Sequence, residues 1–118
     1  MKSAFLTDIS TFELRDIPNP NCPQDGVVLQ VKACGVCGSD LRRWKEGPGK
    51  EPIIPGHEIA GIVSEVGCIV SGYSVGDKLA IAPDVHCGTC HFCRNGQYNL
   101  CDNLHLIGIT PGYPGGFS

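Results

Sequence analysis

The chain has 118 residues, 42% of them hydrophobic and 18% charged, enough for one small domain that buries roughly two-thirds of its unfolded surface. Its formal net charge is −3 and its nine basic residues are scattered from Lys2 to Arg94, which excludes a patch matched to nucleic acid. No apolar run approaches the roughly 20 residues of a membrane span, and Asp8 interrupts the short apolar N-terminus before any cleavage signal, so the expectation is a soluble, cytoplasmic protein.

In chain order, Ser3 to Thr7 and Thr11 to Ile17 are β-compatible and read as an opening hairpin, stopped by Asn19, Pro20, Asn21 and Pro23. Val27 to Ala33 sets Val27, Leu29 and Val31 against Val28, Gln30 and Lys32, the period of a strand with one buried face. Ser39 to Glu46 begins at an N-cap residue, carries Leu41 and Trp44 three apart and ends at Gly47, which predicts one or two helical turns. Ile59 to Val70 and Asp77 to Ala82 are Val- and Ile-rich runs flanking the Gly72, Ser74 and Gly76 turn, and read as core strands. From Pro83 to Asn103 apolar periodicity disappears, so a metal rather than a hydrophobic core is expected to order that lobe. Pro111 to Ser118 is mostly glycine and proline, offers no strand, helix or cap, and reads as a chain cut off. With sixteen glycines and nine prolines, the class is mainly β with loops and short helices.

Eight cysteines without any sign of secretion favour metal binding over a disulfide framework. Cys87, Cys90, Cys93 and Cys101 follow the spacing Cys-x2-Cys-x2-Cys-x7-Cys, which lets four thiolates turn toward one centre. A closed, four-coordinate sulfur site is the structural zinc type. The rival iron-sulfur motif continues with x3-Cys-Pro, whereas here Asp102 follows Cys101. His86 and His91 adjoin the cluster and are expected beside it rather than on the metal. A second constellation pairs Cys37, Ser39 and Asp40, at the start of the helix, with His57 and Glu58 after the Pro55-Gly56 turn. One cysteine, one histidine and an incomplete ligand set suit a catalytic zinc, whose open position takes water or substrate.

The stretch Val31-Lys32-Ala33-Cys34-Gly35-Val36-Cys37-Gly38-Ser39-Asp40, then Pro55-Gly56-His57-Glu58 through Gly61 to Val66-Gly67, then Val75-Gly76-Asp77, and finally the four-cysteine lobe, together resemble the zinc-dependent medium-chain alcohol and polyol dehydrogenases, in the sorbitol and threonine dehydrogenase-like branch. The resemblance covers essentially the whole chain. It implies a GroES-like, partly closed β-barrel over residues 1–118, the N-terminal part of a catalytic domain, with a structural zinc lobe over residues 83–103. It further implies Cys37 and His57 as ligands of the catalytic zinc, Glu58 as a ligand or near-ligand, Ser39 as the proton relay and Asp40 as the group that orients the His57 ring. Ser39 is also the expected helix N-cap and Asp40 an ordinary first-turn acid. The full-length enzyme, by the same resemblance, is a homo-oligomer that oxidises a secondary alcohol or polyol with NAD or NADP.

Two departures matter. Arg42 stands where several of these enzymes have a relay histidine, and an arginine is no base at neutral pH. No Gly-x-Gly-x-x-Gly nucleotide fingerprint follows a strand, so cofactor-binding residues are not assigned, and Gly115-Gly116-Phe117-Ser118 resembles a family segment stopped inside its motif. The isolated chain is therefore expected to be inactive. The competing reading is a zinc-stabilised binding or interaction module without catalysis. A weaker one is a dithiol redox pair of Cys34 and Cys37, disfavoured because no βαβ context surrounds it. Cys22 and Cys68 have no partner pattern and read as unligated thiols.

Overall fold

Residues 1–118 are all described by the computed structural model, and the first of them form the expected hairpin. Strand β1 (Lys2–Asp8) pairs antiparallel with β2 (Thr11–Asp16) around Ser10, which takes φ 54°. That left-handed turn is held from outside, because the Ser10 N–H donates to the Trp44 carbonyl at 2.7 Å. β1 buries Ser3 and Leu6 while all of β2 is exposed. Leu6 also forms an isolated bridge to Ile53, and these two with Ile54, Ile59 and Val63 make the apolar core.

Strand β3 (Val27–Gly35) pairs antiparallel with β4 (Glu58–Val66), whose other edge carries β5 (Lys78–Ala80). The clean alternation expected of β3 is not observed: Val27, Val28, Leu29 and Val31 are all half-buried. Register shifts between Val28 and Leu29 and between Val31 and Ala33 break the phase, since a bulge re-aims the side chains that follow it. The expected strand to Val70 ends at Val66, because the Gly67 and Ile69 amides turn to the carbonyls of Gly26 and Gln24 at 2.8 and 3.0 Å. β5 is shorter than the apolar run, although backbone bonds to β4 continue at both its ends, the Val63 amide donating to the Asp77 carbonyl and the Ile81 amide to the Ile59 carbonyl at 2.9 Å. The Asp77 carboxylate accepts from the Ser74 amide at 2.8 Å and closes the preceding turn.

Helix α1 (Gly38–Glu46) follows β3 and buries none of its residues, so Leu41 and Trp44 are surface side chains. Strand β6 (Asp84–Val85) pairs with β7 (His105–Leu106), and between them lie the single-turn helix α2 (His91–Arg94) and a 3-10 turn over Tyr98–Leu100. The only buried apolar side chains between β6 and β7 are Cys93 and Cys101. The tail departs from its expected lack of structure. Gly115, Gly116 and Phe117 donate their amides to the carbonyls of Ile54, Gly56 and Pro55 at 2.8, 2.9 and 3.1 Å, and the Phe117 carbonyl accepts from Ala4 at 2.8 Å. This strap ties β1 to the segment that leads into His57. The strands form three separate sheets of two, three and two strands and do not close into a ring. No helix is long and apolar enough to cross a membrane.

Candidate metal centres

The ladder between β3 and β4 brings the second constellation together. Gly35 lies opposite Glu58 and Cys34 opposite Ile59, so a chain leaving β3 arrives level with the residues that precede β4. Cys37, two residues past the strand, therefore meets His57. Cys37, and not Ser39 as the sequence suggested, is the N-cap of α1, with φ −82° and ψ 159°. The cap is closed from the other side: the Asp40 carboxylate accepts from the Cys37 N–H at 2.8 Å, the reciprocal half of a capping box. Ser39, relieved of capping, places its Oγ 3.5 Å from His57 Nε2.

Asp40 also faces the other ring nitrogen. Its Oδ1 stands 3.6 Å from His57 Nδ1, within ion-pair reach yet too long for a hydrogen bond, so that buried nitrogen has no hydrogen-bond partner. A carboxylate on the Nδ1 side favours the tautomer with its proton there, which leaves Nε2 as the free lone pair toward Cys37 and Ser39. Cys37 Sγ, one His57 ring nitrogen and a Glu58 carboxylate oxygen all lie within 4.8 Å of one another. The Cys37 thiol is held below its ordinary range, first by the Ser39 hydroxyl, then by the Ser39 backbone N–H and by His57. Soft sulfur, imidazole and carboxylate gathered in one partly exposed cluster form a donor set that fits zinc with a position open. A polar cleft lined by Ser39, Asp40, Arg42 and Ile109 opens beside it.

The four-cysteine cluster has the opposite character. Its four sulfurs lie within 4.8 Å of one another, and Cys87 Sγ and Cys93 Sγ are 4.0 Å apart. Thiolates at about 2.3 Å around a tetrahedral ion stand about 3.8 Å apart, so the spacing fits a single zinc, whereas a multi-iron cluster holds its thiolates further apart. All eight cysteines are free. Backbone and side-chain donors converge on the sulfurs: the Cys87 and Asn103 amides on Cys101 at 3.3 and 3.4 Å, the Cys93 amide on Cys90 at 3.5 Å, and the Thr89 hydroxyl on Cys87 at 3.6 Å. Such donors offset the surplus negative charge of four thiolates on a divalent ion. Hydrogen bonds from the Thr89 backbone, the Cys90 backbone and the Thr89 hydroxyl bring the Cys87 thiol down to about 6. Cys90 is lowered by the Cys93 and Asp102 amides, while burial pushes Cys93 up to about 12.

His86 is exposed, its ring tilted against Tyr98 with centroids 4.3 Å apart, and His91 is exposed in an edge-to-face pair with Phe92, so neither belongs to the sulfur cluster. Cys34, Cys22 and Cys68 lie outside both clusters. Burial raises the Cys34 thiol, so Cys34 is not itself an activated nucleophile. Sequence reasoning missed the Gly115–Phe117 strap, whose amides hold Pro55 and Gly56 next to His57. Its only signal was the Gly-Gly pair, since both Gly115 and Gly116 are buried where a Cβ would overlap the Pro55-Gly56 backbone or the Ile59 side chain.

Comparison with known proteins places these clusters in context. Residues 23–118 match the family model described as "Alcohol dehydrogenase GroES-like domain". The chain is 37% identical over 122 residues to the sorbitol dehydrogenase of Bacillus subtilis (strain 168), a match covering 99% of this chain and 34% of that protein. Among solved structures it resembles galactitol-1-phosphate dehydrogenase from Escherichia coli, with TM-score 0.91, 34% identity and coverage of 100% of this chain and 34% of the other. It also resembles a short chain alcohol dehydrogenase of E. coli CFT073 complexed with the cofactor NADH, with TM-score 0.88, 32% identity and coverage of 99% and 34%. The chain thus spans about a third of the length of these relatives.

Proposed function

We propose, from the premise that this chain belongs to the alcohol dehydrogenase GroES-like family, that it is the zinc-bearing N-terminal part of an NAD(P)-dependent dehydrogenase oxidising a secondary alcohol or polyol to a carbonyl compound. The observation that carries the reading is the convergence of Cys37, His57 and Glu58 within 4.8 Å, with the Ser39 hydroxyl beside them. In this reading Cys37, His57 and Glu58 hold a catalytic zinc, and Cys87, Cys90, Cys93 and Cys101 hold a structural zinc that orders the lobe over residues 83–103 of a domain spanning residues 1–118. A zinc ion bound at the first centre supplies Lewis acidity that lowers the pKa of a substrate hydroxyl.

Ser39 Oγ, 3.5 Å from His57 Nε2 and lining the cleft, is positioned to take the proton a substrate hydroxyl gives up. Asp40 fixes both sides of the centre at once: one oxygen anchors the Cys37 amide and the other faces the His57 ring. Arg42 lines the same cleft and cannot act as base, so the proton leaves Ser39 through water. The NADH found with one structural relative supports a nicotinamide acceptor, and the eight free thiols support a reducing, cytoplasmic setting. The full-length enzyme is taken to be a homo-oligomer acting on a small molecule, with neither nucleic acid nor membrane as partner.

The test is Cys37→Ala in the full-length enzyme, assayed against alcohols and polyols with NAD and with NADP. Activity should vanish while circular dichroism and the zinc of the four-cysteine centre are retained. Full activity in that variant would refute the assignment.

A further inference from the structure

Glu58 is a surface-exposed glutamate at the first position of β4, and nothing about its backbone requires its carboxylate to lie near Cys37 and His57. What steers it is the residue opposite. In the β3–β4 register Glu58 pairs with Gly35, two residues before Cys37. A Cβ built on Gly35 would overlap Glu58 Oε2 and come within 3.1 Å of Glu58 Cβ and 3.2 Å of Cδ. The Glu58 side chain therefore folds back across β3 through the space that a side chain on Gly35 would fill.

Gly35 does not owe its identity to its backbone. Its φ lies outside the left-handed region, so an L side chain is tolerated there conformationally. The severe overlap is with the end of a flexible, exposed side chain, and the Glu58 Cβ, 3.1 Å away, has to give by only a few tenths of an ångström, so the ladder itself is kept. The neighbouring glycines differ. At Gly61 and Gly67 a Cβ would run into the carbonyls of Gln30 and of Pro23 and Gln24, where the backbone itself would have to move.

We propose that Gly35 is a positioning residue for the Cys37, His57 and Glu58 centre: its missing side chain lets the Glu58 carboxylate reach across β3 and join the other two donors. The inference rests on the reading of that cluster as a metal centre and names the position that sets its third ligand. A methyl group at residue 35 turns Glu58 outward, leaving Cys37 and His57 as a two-ligand site on an unchanged sheet.

The experiment compares the chain with its Gly35→Ala, Glu58→Ala and doubly substituted variants. The four-cysteine centre is first filled with zinc, and cobalt(II) is then titrated and followed through its visible d–d bands. In Gly35→Ala the cobalt affinity should fall about 10- to 100-fold, the range for loss of a supporting contact at a metal site. Thermal unfolding and the bound zinc should stay as in the parent. Glu58→Ala should fall at least as far, and adding Gly35→Ala to it should change little more, because the carboxylate that overlapped is gone and only the 3.1 Å approach of the residue 58 Cβ remains. A Gly35→Ala variant with parental affinity overturns the proposal. So does a double variant weaker than Glu58→Ala by the full single-variant factor, which would mean that Gly35 acts on something else. A parallel measurement needs no metal: contacts between Glu58 Hγ and the Cys37 and His57 side-chain protons in nuclear Overhauser spectra should be present in the parent and lost in Gly35→Ala. Their absence in the parent, or persistence in the variant, also overturns the proposal. Parental contacts without cobalt uptake would instead refute the metal-centre reading and leave the steric role of Gly35 standing.

Discussion

Replacing Cys101 by serine removes one of four sulfurs from a lobe that has no other core. Cys101 is 8% exposed, and its sulfur accepts from the amides of Cys87 and Asn103, so the substitution weakens a ligand and two amide contacts together. Around it, α2 has four residues and the β6–β7 pair only two positions, far below the roughly 12 residues at which an isolated helix becomes marginal in water. In the proposed reading the lobe is therefore held by its metal. Zinc binding in comparable small sites stabilises the fold by about 10 to 16 kcal/mol, and a quarter share, about 3 kcal/mol, corresponds to on the order of 10²-fold in local opening. Hydrogen exchange should therefore speed up by about that factor at Arg94, Gly96 and Gln97, whose amides bond to carbonyls within the lobe. Val63 and Ile81, whose amides bond to Asp77 and Ile59, should exchange as before. Equal acceleration at Val63 and Ile81 would refute the argument that the lobe is an independent unit, and no acceleration at Arg94 would refute its dependence on the sulfurs.

Where the metal-stripped lobe keeps the turn around Thr89, its hydrogen bonds hold the Cys87 thiol down at about 6, so Cys87 should alkylate first in a mass-spectrometric time course, and equal labelling of the four cysteines would show that the turn is lost with the metal. Because its folded value lies below the ordinary thiol range, Cys87 favours the folded lobe at alkaline pH, and that contribution fades as pH falls through about 6. Cys93, raised to about 12, has the opposite sign, disfavouring the folded lobe as pH rises above the ordinary thiol value, and should label last. In the full-length enzyme Ser39→Ala should lower kcat by about 10²- to 10⁴-fold but leave a residual rate through water, whereas Arg42→Ala should preserve the shape of the pH–rate profile. A profile displaced in Arg42→Ala would sink the water-exit argument. Gly116→Ala puts a Cβ 2.6 Å from Ile59 Cγ1 and 2.9 Å from Cys34 Sγ, so calorimetry should show destabilisation by about 1–3 kcal/mol.

The four-cysteine cluster was legible because its chemistry is written in spacing, whereas Cys37, His57 and Glu58 were joined as one ligand set through the family resemblance. The Cys-x2-Cys-x2-Cys-x7-Cys run needs only short turns to close, and Cys37 and His57 sit at the ends of two apolar runs that pair as neighbours. The hairpin, β3 and α1 announced themselves through turn residues and local propensity. What the sequence concealed depends on distant backbone. Asp40 reaches back to the Cys37 amide and thereby moves the cap two residues upstream of Ser39. The bulges in β3 and β4, and the diversion of Gly67 to the Gly26 carbonyl, come from pairings that no local pattern encodes. The glycine-rich tail looked shapeless because its order lies in amides donated to Ile54, Pro55 and Gly56, about 60 residues away along the chain.

The central claim is that one closed sulfur centre and one open mixed centre share this small domain, and zinc K-edge absorption on the chain after dialysis against a weak chelator tests it most directly. The closed centre should keep about one zinc per chain with a sulfur-only shell at about 2.3 Å, and added zinc should then enter a second, exchangeable site with nitrogen and oxygen in its shell. A folded chain that keeps no zinc, or a retained ion with histidine nitrogen in its shell, would contradict the account.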